Sequence, residues 1–209
     1  ACAPFRRLHL CHHNLESIDT KSTTTNKLLL EVCMAAKYEG DLIKTHYTEH
    51  QLTNKDSPSQ LCTVLARSFA DIGDIVRGRD IFRGNDEEKK KRKQLDENLK
   101  TIFAKIHEDV TSTKGSNGQT LQARYQDDNG GNYYKLREDW WTANRSTVWK
   151  ALTCEANGTY FRATCNDNGT FSQANDKCRY KKNDGRPDDQ VPTYFDYVPQ
   201  YLRWFEEWA

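Results

Sequence analysis

The chain has 209 residues, with 31 Lys+Arg against 30 Asp+Glu, a net charge of +1 and 11% aromatic residues. That length can bury a real core as one large domain or two small ones, and the aromatic content excludes a disordered chain. Near-neutral charge leaves anion binding to local patches and argues against a nucleic-acid binder, while the absence of any run of 18 apolar residues leaves no segment that spans a membrane.

The first residues, Ala1 to Leu10, lack the continuous apolar segment of a secretory signal. The stop at Ala209, inside the helical pattern "PQYLRWFEEWA", is what a piece of a longer chain would show, with export signals and anchors outside it. Seven cysteines, Cys2, Cys11, Cys33, Cys62, Cys154, Cys165 and Cys178, fall into two clusters with a long gap between them. This predicts two separately stapled regions in an oxidising, extracellular compartment, with one thiol left over. Zinc sites need tight C-x-x-C pairs, and none occurs. His9, Cys11, His12 and His13 crowd together in "HLCHH", but adjacent side chains diverge and no second cluster completes four ligands, so neither a metal nor any other cofactor is expected.

In chain order, the first helix is predicted from about Asn26 to Gln51, with Leu29, Val32, Ala36, Ile43 and Tyr47 on one stripe and Gly40 a weak spot. The second opens at "SPSQ", where Ser57 caps, Pro58 takes the first helical position and Gln60 completes a capping box. Its stripe is Leu61, Leu65, Ser68, Ile72 and Ile75. After the glycine-punctuated "RGRDIFRGN" comes a highly charged helix from about Asp86 to Val110, with Leu95, Leu99, Ile102, Ile106 and Val110 inward. "TSTKGSNGQ" and "YQDDNGGNYY" read as loops. A fourth helix covers Leu136 to Cys154, turn signals dominate from Cys154 to Gln190, and helical spacing resumes at Pro199 with Leu202, Phe205 and Trp208 on one side. The fold class is therefore all-α, a disulfide-stapled helical bundle with long loops. If the first two helices form an antiparallel hairpin, Cys62 lies about 20 Å along the axis from Cys33. A disulfide needs Cα atoms within about 7 Å, which disfavours Cys33 to Cys62. If these four cysteines pair among themselves, the N-terminal segment then pairs crosswise with both helices.

On the fourth helix, Leu136, Trp140, Ala143, Thr147 and Ala151 make one stripe and Trp141, Val148 and Leu152 a second, together about half the circumference. Trp140 and Trp141 are thus expected in the core, with Trp149 at the border and a candidate for exposure. Arg137 and Asn144 project into the apolar arc and are expected to hydrogen-bond to a neighbouring helix or carboxylate. That disfavours Asn144 as a glycan acceptor, although "NRS" matches the sequon; "NGT" at Asn157 and Asn168 is equally an Asn-Gly turn.

"ARSFADIGDIVRGRDIF", "LREDWWTANRSTVWKALTC" and "DQVPTYFDYVPQYLRWFEEWA" closely resemble signature blocks of the Duffy-binding-like domain, alpha class, the N-terminal adhesion domain of the Plasmodium falciparum variant erythrocyte membrane protein family. "ACAPFRRLHLC" resembles its start, so the likeness runs from Ala1 to Ala209. It implies the first two subdomains, a cysteine-stapled N-terminal part over 1–55 and a helical bundle over 56–190, with 191–209 opening a third. It further implies an adhesion domain on the infected red-cell surface, antigenic variation, and host glycans or glycoproteins as partners. The alpha class is associated with rosetting through carbohydrate and heparan-sulfate-like ligands. Where the family often reads Cys-x-Cys, this chain has Cys178 followed by Tyr180 two positions on.

Polyanion binding needs clustered exposed cations. The best run is Lys89, Lys90, Lys91, Arg92 and Lys93; a second patch is Arg179, Lys181, Lys182 and Arg186 on a turn-rich loop; Arg6 and Arg7 form a smaller third. A charge run is usually only a solvated face, and cations at a helix start oppose its dipole. No nucleophile elbow, P-loop, HExxH or dinucleotide fingerprint occurs, so an enzyme is not expected. His46 and His50 lack the glutamate of a zincin, and "RGRD" is not an Arg-Gly-Asp motif. The competing reading is a monomeric module that binds a protein receptor through a helix face, or a structural part of a larger adhesin.

Overall fold

The computed structural model of the protein describes residues 2–10, 15–20, 25–53, 60–112, 116–125, 131–154, 164–165, 171–172, 178–179 and 190–209. The helices are α1 (Phe5–Leu8), α2 (Thr25–Thr53), α3 (Leu61–Arg77), α4 (Asp86–Thr111), α5 (Ser116–Arg124), α6 (Tyr134–Leu152) and α7 (Gln200–Trp208). A 3-10 turn at Phe195–Tyr197 precedes α7, and β1 (Thr164–Cys165) pairs antiparallel with β2 (Phe171–Ser172).

α3 is the centre of the molecule. Among its residues only Thr63, Val64 and Arg67 escape full burial, because α2, α6, the 3-10 turn, α7 and α1 all pack around it. It ends where Gly78 takes a left-handed φ of 73°, and the Gly78 and Arg79 amides close onto the Ile75 and Asp74 carbonyls. α3 starts at Leu61, later than "SPSQ" predicts; Ser57 and Pro58 lie outside the described residues.

α2 lays Leu28, Val32, Ala35 and Ala36 against α6 and α3. Gly40 is required rather than weak: a Cβ there would sit 2.0 Å from the Leu152 carbonyl oxygen, so only glycine lets α2 come this close to α6. α4 opens with a capping box, Asn85 accepting from the Glu88 amide at 2.9 Å while Glu88 accepts from the Asn85 amide at 3.1 Å. Leu95, Leu99, Ile102 and Ile106 are buried as their spacing predicts, joined by Phe103.

The aromatic question is settled by α6. Trp140 and Trp141 are buried, and so is Trp149, whose ring stands edge-on to Phe69 at 5.1 Å and whose indole N–H donates to the Cys178 carbonyl. The expected exposure of Trp149 is therefore wrong: α6 is covered on that side by the segment around Cys178, which helical periodicity could not include. Arg137 is fully buried and donates to the Ile75 and Val76 carbonyls and to Asp96, as expected. Asn144 is only partly buried and donates to Trp140 of its own helix instead.

Other elements add to what helical spacing shows. Part of the stretch read as the first loop forms α5. The Cys154 to Gln190 stretch contains the β1/β2 pair. The apolar side of α7 faces outward, with Leu202, Phe205 and Trp208 exposed, while Gln200, Arg203 and Trp204 turn inward because the buried carboxylates of α3 take up Arg203. The hydrophobic core is one cluster from Leu10 to Val191 that includes α2.

Cys62 and Cys178 form a disulfide with Cα atoms 5.5 Å apart. It ties the start of α3 to the C-terminal cysteine cluster, so the two clusters are not separately stapled, and crosswise pairing of the N-terminal segment does not extend to Cys62. The exclusion of Cys33 to Cys62 stands. Cys2, Cys33 and Cys154 are free thiols, the Cys165 side chain is not described, and Cys11 lies outside the described residues.

Candidate ligand-binding surface

Five consecutive helical residues sweep more than a full turn at 3.6 residues per turn, so the run at the start of α4 cannot present all its charges to one side. Lys89, Lys90, Lys91 and Lys93 are exposed, Lys89 pairing with Asp86 at 2.9 Å and Lys93 with Glu97 at 3.8 Å. Arg92 points inward onto Asp80, with its guanidinium 4.6 Å from the Phe82 ring centre. Burial pushes the Arg92 pKa down, only partly offset by Asp80.

The N-terminal pair is structural. Arg7 is buried and bonds Asp80 at 2.6 Å, and its guanidinium, like that of Arg92, lies over the Phe82 ring, 4.7 Å from its centre. Arg6 pairs with Asp71 at 2.9 Å and Glu207 at 3.0 Å and donates to Ser68. Both guanidiniums are consumed within the fold, so neither can serve a ligand as expected. Arg179 is likewise engaged, donating to the Lys150 carbonyl and the Thr153 hydroxyl. Lys181, Lys182 and Arg186 lie outside the described residues, as do His12, His13 and the His50 side chain.

Sequence reasoning missed the ion network that these arginines belong to. Asp71, Asp74 and Arg77 sit on α3, Asp196 in the 3-10 turn and Arg203 on α7, all buried. Arg203 bridges Asp71 at 2.6 Å and Asp74 at 2.5 Å; Arg77 pairs with Asp74 at 2.9 Å; Arg145 pairs with Asp196 at 2.7 Å, and Asp196 also accepts from the Trp141 indole at 2.8 Å. The available signal was three charged residues at steps of three in an otherwise apolar helix. The two α3 carboxylates behave differently. Burial pushes Asp74 up to about 6, incompletely offset by Arg203 and Arg77 and reinforced by the neighbouring Asp71 charge. Burial also works against Asp71, but Arg6, Arg203 and a hydrogen bond from Gln200 outweigh it and hold that carboxyl below the usual range.

Among the described residues no group of three or more His, Cys, Asp or Glu side chains is placed to hold a metal. Cys33 is pushed up to about 11 by burial, which keeps it a protonated thiol and a poor nucleophile at neutral pH.

The exposed lysines at the start of α4 stand on a disulfide-tied helical scaffold whose buried arginines are paired with carboxylates. The family model described as the Duffy binding domain matches residues 1–203, and the chain belongs to that family. The NTS-DBL1(alpha-1) domain of Plasmodium falciparum membrane protein 1 (PfEMP1) from the varO strain is 44% identical with a TM-score of 0.72, covering 100% of this chain and 43% of that one. The ICAM-1-binding PfEMP1 IT4var13 DBLbeta domain is 32% identical with a TM-score of 0.67, covering 99% and 42%. P. falciparum erythrocyte binding antigen 140 region II, solved with sialyllactose, is 22% identical with a TM-score of 0.55 over 99% of this chain and 25% of its own, a likeness of fold alone. The chain thus spans less than half the length of these solved chains. No curated protein sequence matches it.

Proposed function

We propose that the protein is an extracellular adhesion domain that binds host red-cell or endothelial receptors, with heparan-sulfate-like glycans as the ligand class in rosetting. It would be displayed as a variant antigen on the infected red-cell surface, with the membrane anchor outside these residues. The observation that carries the reading is the exposed Lys89, Lys90, Lys91 and Lys93 on a rigid helix, in a molecule whose arginines at 6, 7, 77, 92 and 203 are committed to internal carboxylates. Lys90 and Lys91 can meet sulfates directly, and the pairs of Lys89 with Asp86 and Lys93 with Glu97 are exposed and weak enough to exchange.

Retention on immobilised heparin tests it. Elution salt should fall sharply when Lys89, Lys90, Lys91 and Lys93 are reversed to Glu. Reversal of Lys181, Lys182 and Arg186 forms the second arm. Retention indifferent to both sets would remove the electrostatic reading.

A second reading is favoured by one observation. Tyr201, Leu202, Phe205 and Trp208 form an exposed apolar face on α7, and a 32% identical relative is described as ICAM-1-binding. A protein receptor docked on a helix face predicts binding with little salt dependence.

A further inference from the structure

A cavity of about 260 Å³ lies beside the exposed lysines. Its walls come from four places in the chain: Ile75 and Gly78 at the end of α3, Asp80 and Phe82 in the connection, Arg92 to Leu99 on the inner side of α4, and Tyr134 at the start of α6. The volume falls just below the ~300–1,000 Å³ of sites for drug-sized ligands, which suits a single six-membered ring with its substituents.

The charges on this wall sum to zero. Arg92 and Asp80 neutralise each other, and Asp80 also holds Arg7 and Gln200, so Asp80 has no capacity left for a ligand. Two polar groups do. Lys93 is 79% exposed and stands 3.8 Å from Glu97, an ion pair that leaves its N–H donors available. Asp96 is 43% exposed; one oxygen takes Arg137 and the other Lys100, and each carboxylate oxygen has a second lone pair to offer. One donor and one acceptor on an apolar floor of Ile75, Phe82, Leu95 and Leu99, with the half-exposed Tyr134 ring at the rim, match a ring bearing adjacent hydroxyls on one edge and C–H bonds on its face.

We propose that this cavity is a subsite for an uncharged pyranose ring of a host glycan, with Tyr134 packing on its C–H face and Lys93 and Asp96 hydrogen-bonding its hydroxyls. This deepens the reading of the chain as a glycan-binding adhesin and rests on it. The cavity opens beside the same turn of α4 that carries the lysines, so an uncharged ring and charged neighbours of one glycan could be held together.

Saturation-transfer NMR with methyl glucopyranoside, galactopyranoside and mannopyranoside, on the protein as described, tests the assignment. At least one pyranoside should receive magnetisation, the signal should fall at least fivefold in Tyr134→Ala, and it should persist in Tyr134→Phe. Folding of both variants is checked by circular dichroism, and heparin retention is measured on the same samples. No transfer from any pyranoside, or transfer unchanged in Tyr134→Ala, overturns the subsite. If heparin retention is intact in that case, only the subsite has failed. If heparin retention is also absent, or unaffected by the lysine reversal, the glycan reading itself has failed.

Discussion

The buried arginines and the exposed lysines of this molecule hold the same charge and do opposite work. Arg203, Arg77 and Arg7 each lie within 3 Å of a carboxylate in a nearly water-free core. Lys90, Lys91 and Lys93 lie in solvent on α4. A buried ion pair gains little over an apolar substitute, yet breaking one side leaves an uncompensated charge and is costly. An exposed lysine contributes almost nothing to stability, so it is free to change from one sequence to another and free to bind. The chain therefore separates its two kinds of cation by chemistry as well as by place.

The largest expected effect comes from the core. Arg203→Met takes one cationic partner from each of two buried carboxylates, leaving Asp71 to Arg6 and Asp74 to Arg77, and denaturant unfolding should show a loss of about 3–5 kcal/mol, with heparin retention per folded molecule unchanged. A comparable loss in heparin retention would erase the distinction. Cys62→Ser opens a loop spanning 116 residues and should cost about 2–5 kcal/mol. Reductant added to the wild type should give the same change in midpoint.

A third effect is a pH dependence of fixed sign. Asp74 titrates near 6 in the native state, above its unfolded value of about 3.9. The native state therefore binds that proton more tightly, and the contribution, up to about 3 kcal/mol, is present below pH ~4 and lost as pH rises through ~6. Asp71 is held below its unfolded value, so its contribution is present above pH ~4 and lost as pH falls through the lower native pKa. Unfolding free energies of Asp74→Asn at pH 4.5 and pH 7 should differ less than those of the wild type at the same two values. A variant with the wild-type slope would show that Asp74 is not the titrating group. The smallest effect belongs to the lysines: reversing Lys89, Lys90, Lys91 and Lys93 to Glu should cost no more than about 1 kcal/mol, because the pairs it breaks with Asp86 and Glu97 are exposed and the like charges it brings together are solvated.

The helices were legible because each carries its own apolar spacing: α2, α4 and α6 appear within a few residues of where the stripes through Leu29, Leu95 and Leu136 place them, although in α2 it is Leu28 rather than Leu29 that is fully buried. What a single helix cannot encode is what covers it. Trp149 reads as a border residue until Cys178 lies against it, and the α7 stripe shows one apolar side without showing that Arg203, claimed by α3, turns it outward. The same limit applies to the cations. "KKKRK" is visible as a run, but the inward turn of Arg92 depends on Asp80 and Phe82, and the burial of Arg6 and Arg7 depends on contacts with residues more than sixty positions away. Disulfide pairing failed for the same reason, since Cys62 and Cys178 are brought together only by the packed bundle.

Thermal unfolding with and without heparin tests the separation of the two cation classes most directly, because a ligand that binds only the native state raises the midpoint. For the lysine reversal, the unliganded midpoint should match the wild type and the heparin-induced rise should vanish. For Arg7→Met, the unliganded midpoint should drop and the rise should persist. A lysine reversal that keeps the heparin-induced rise, or an Arg7→Met that keeps its midpoint and loses the rise, would contradict the account.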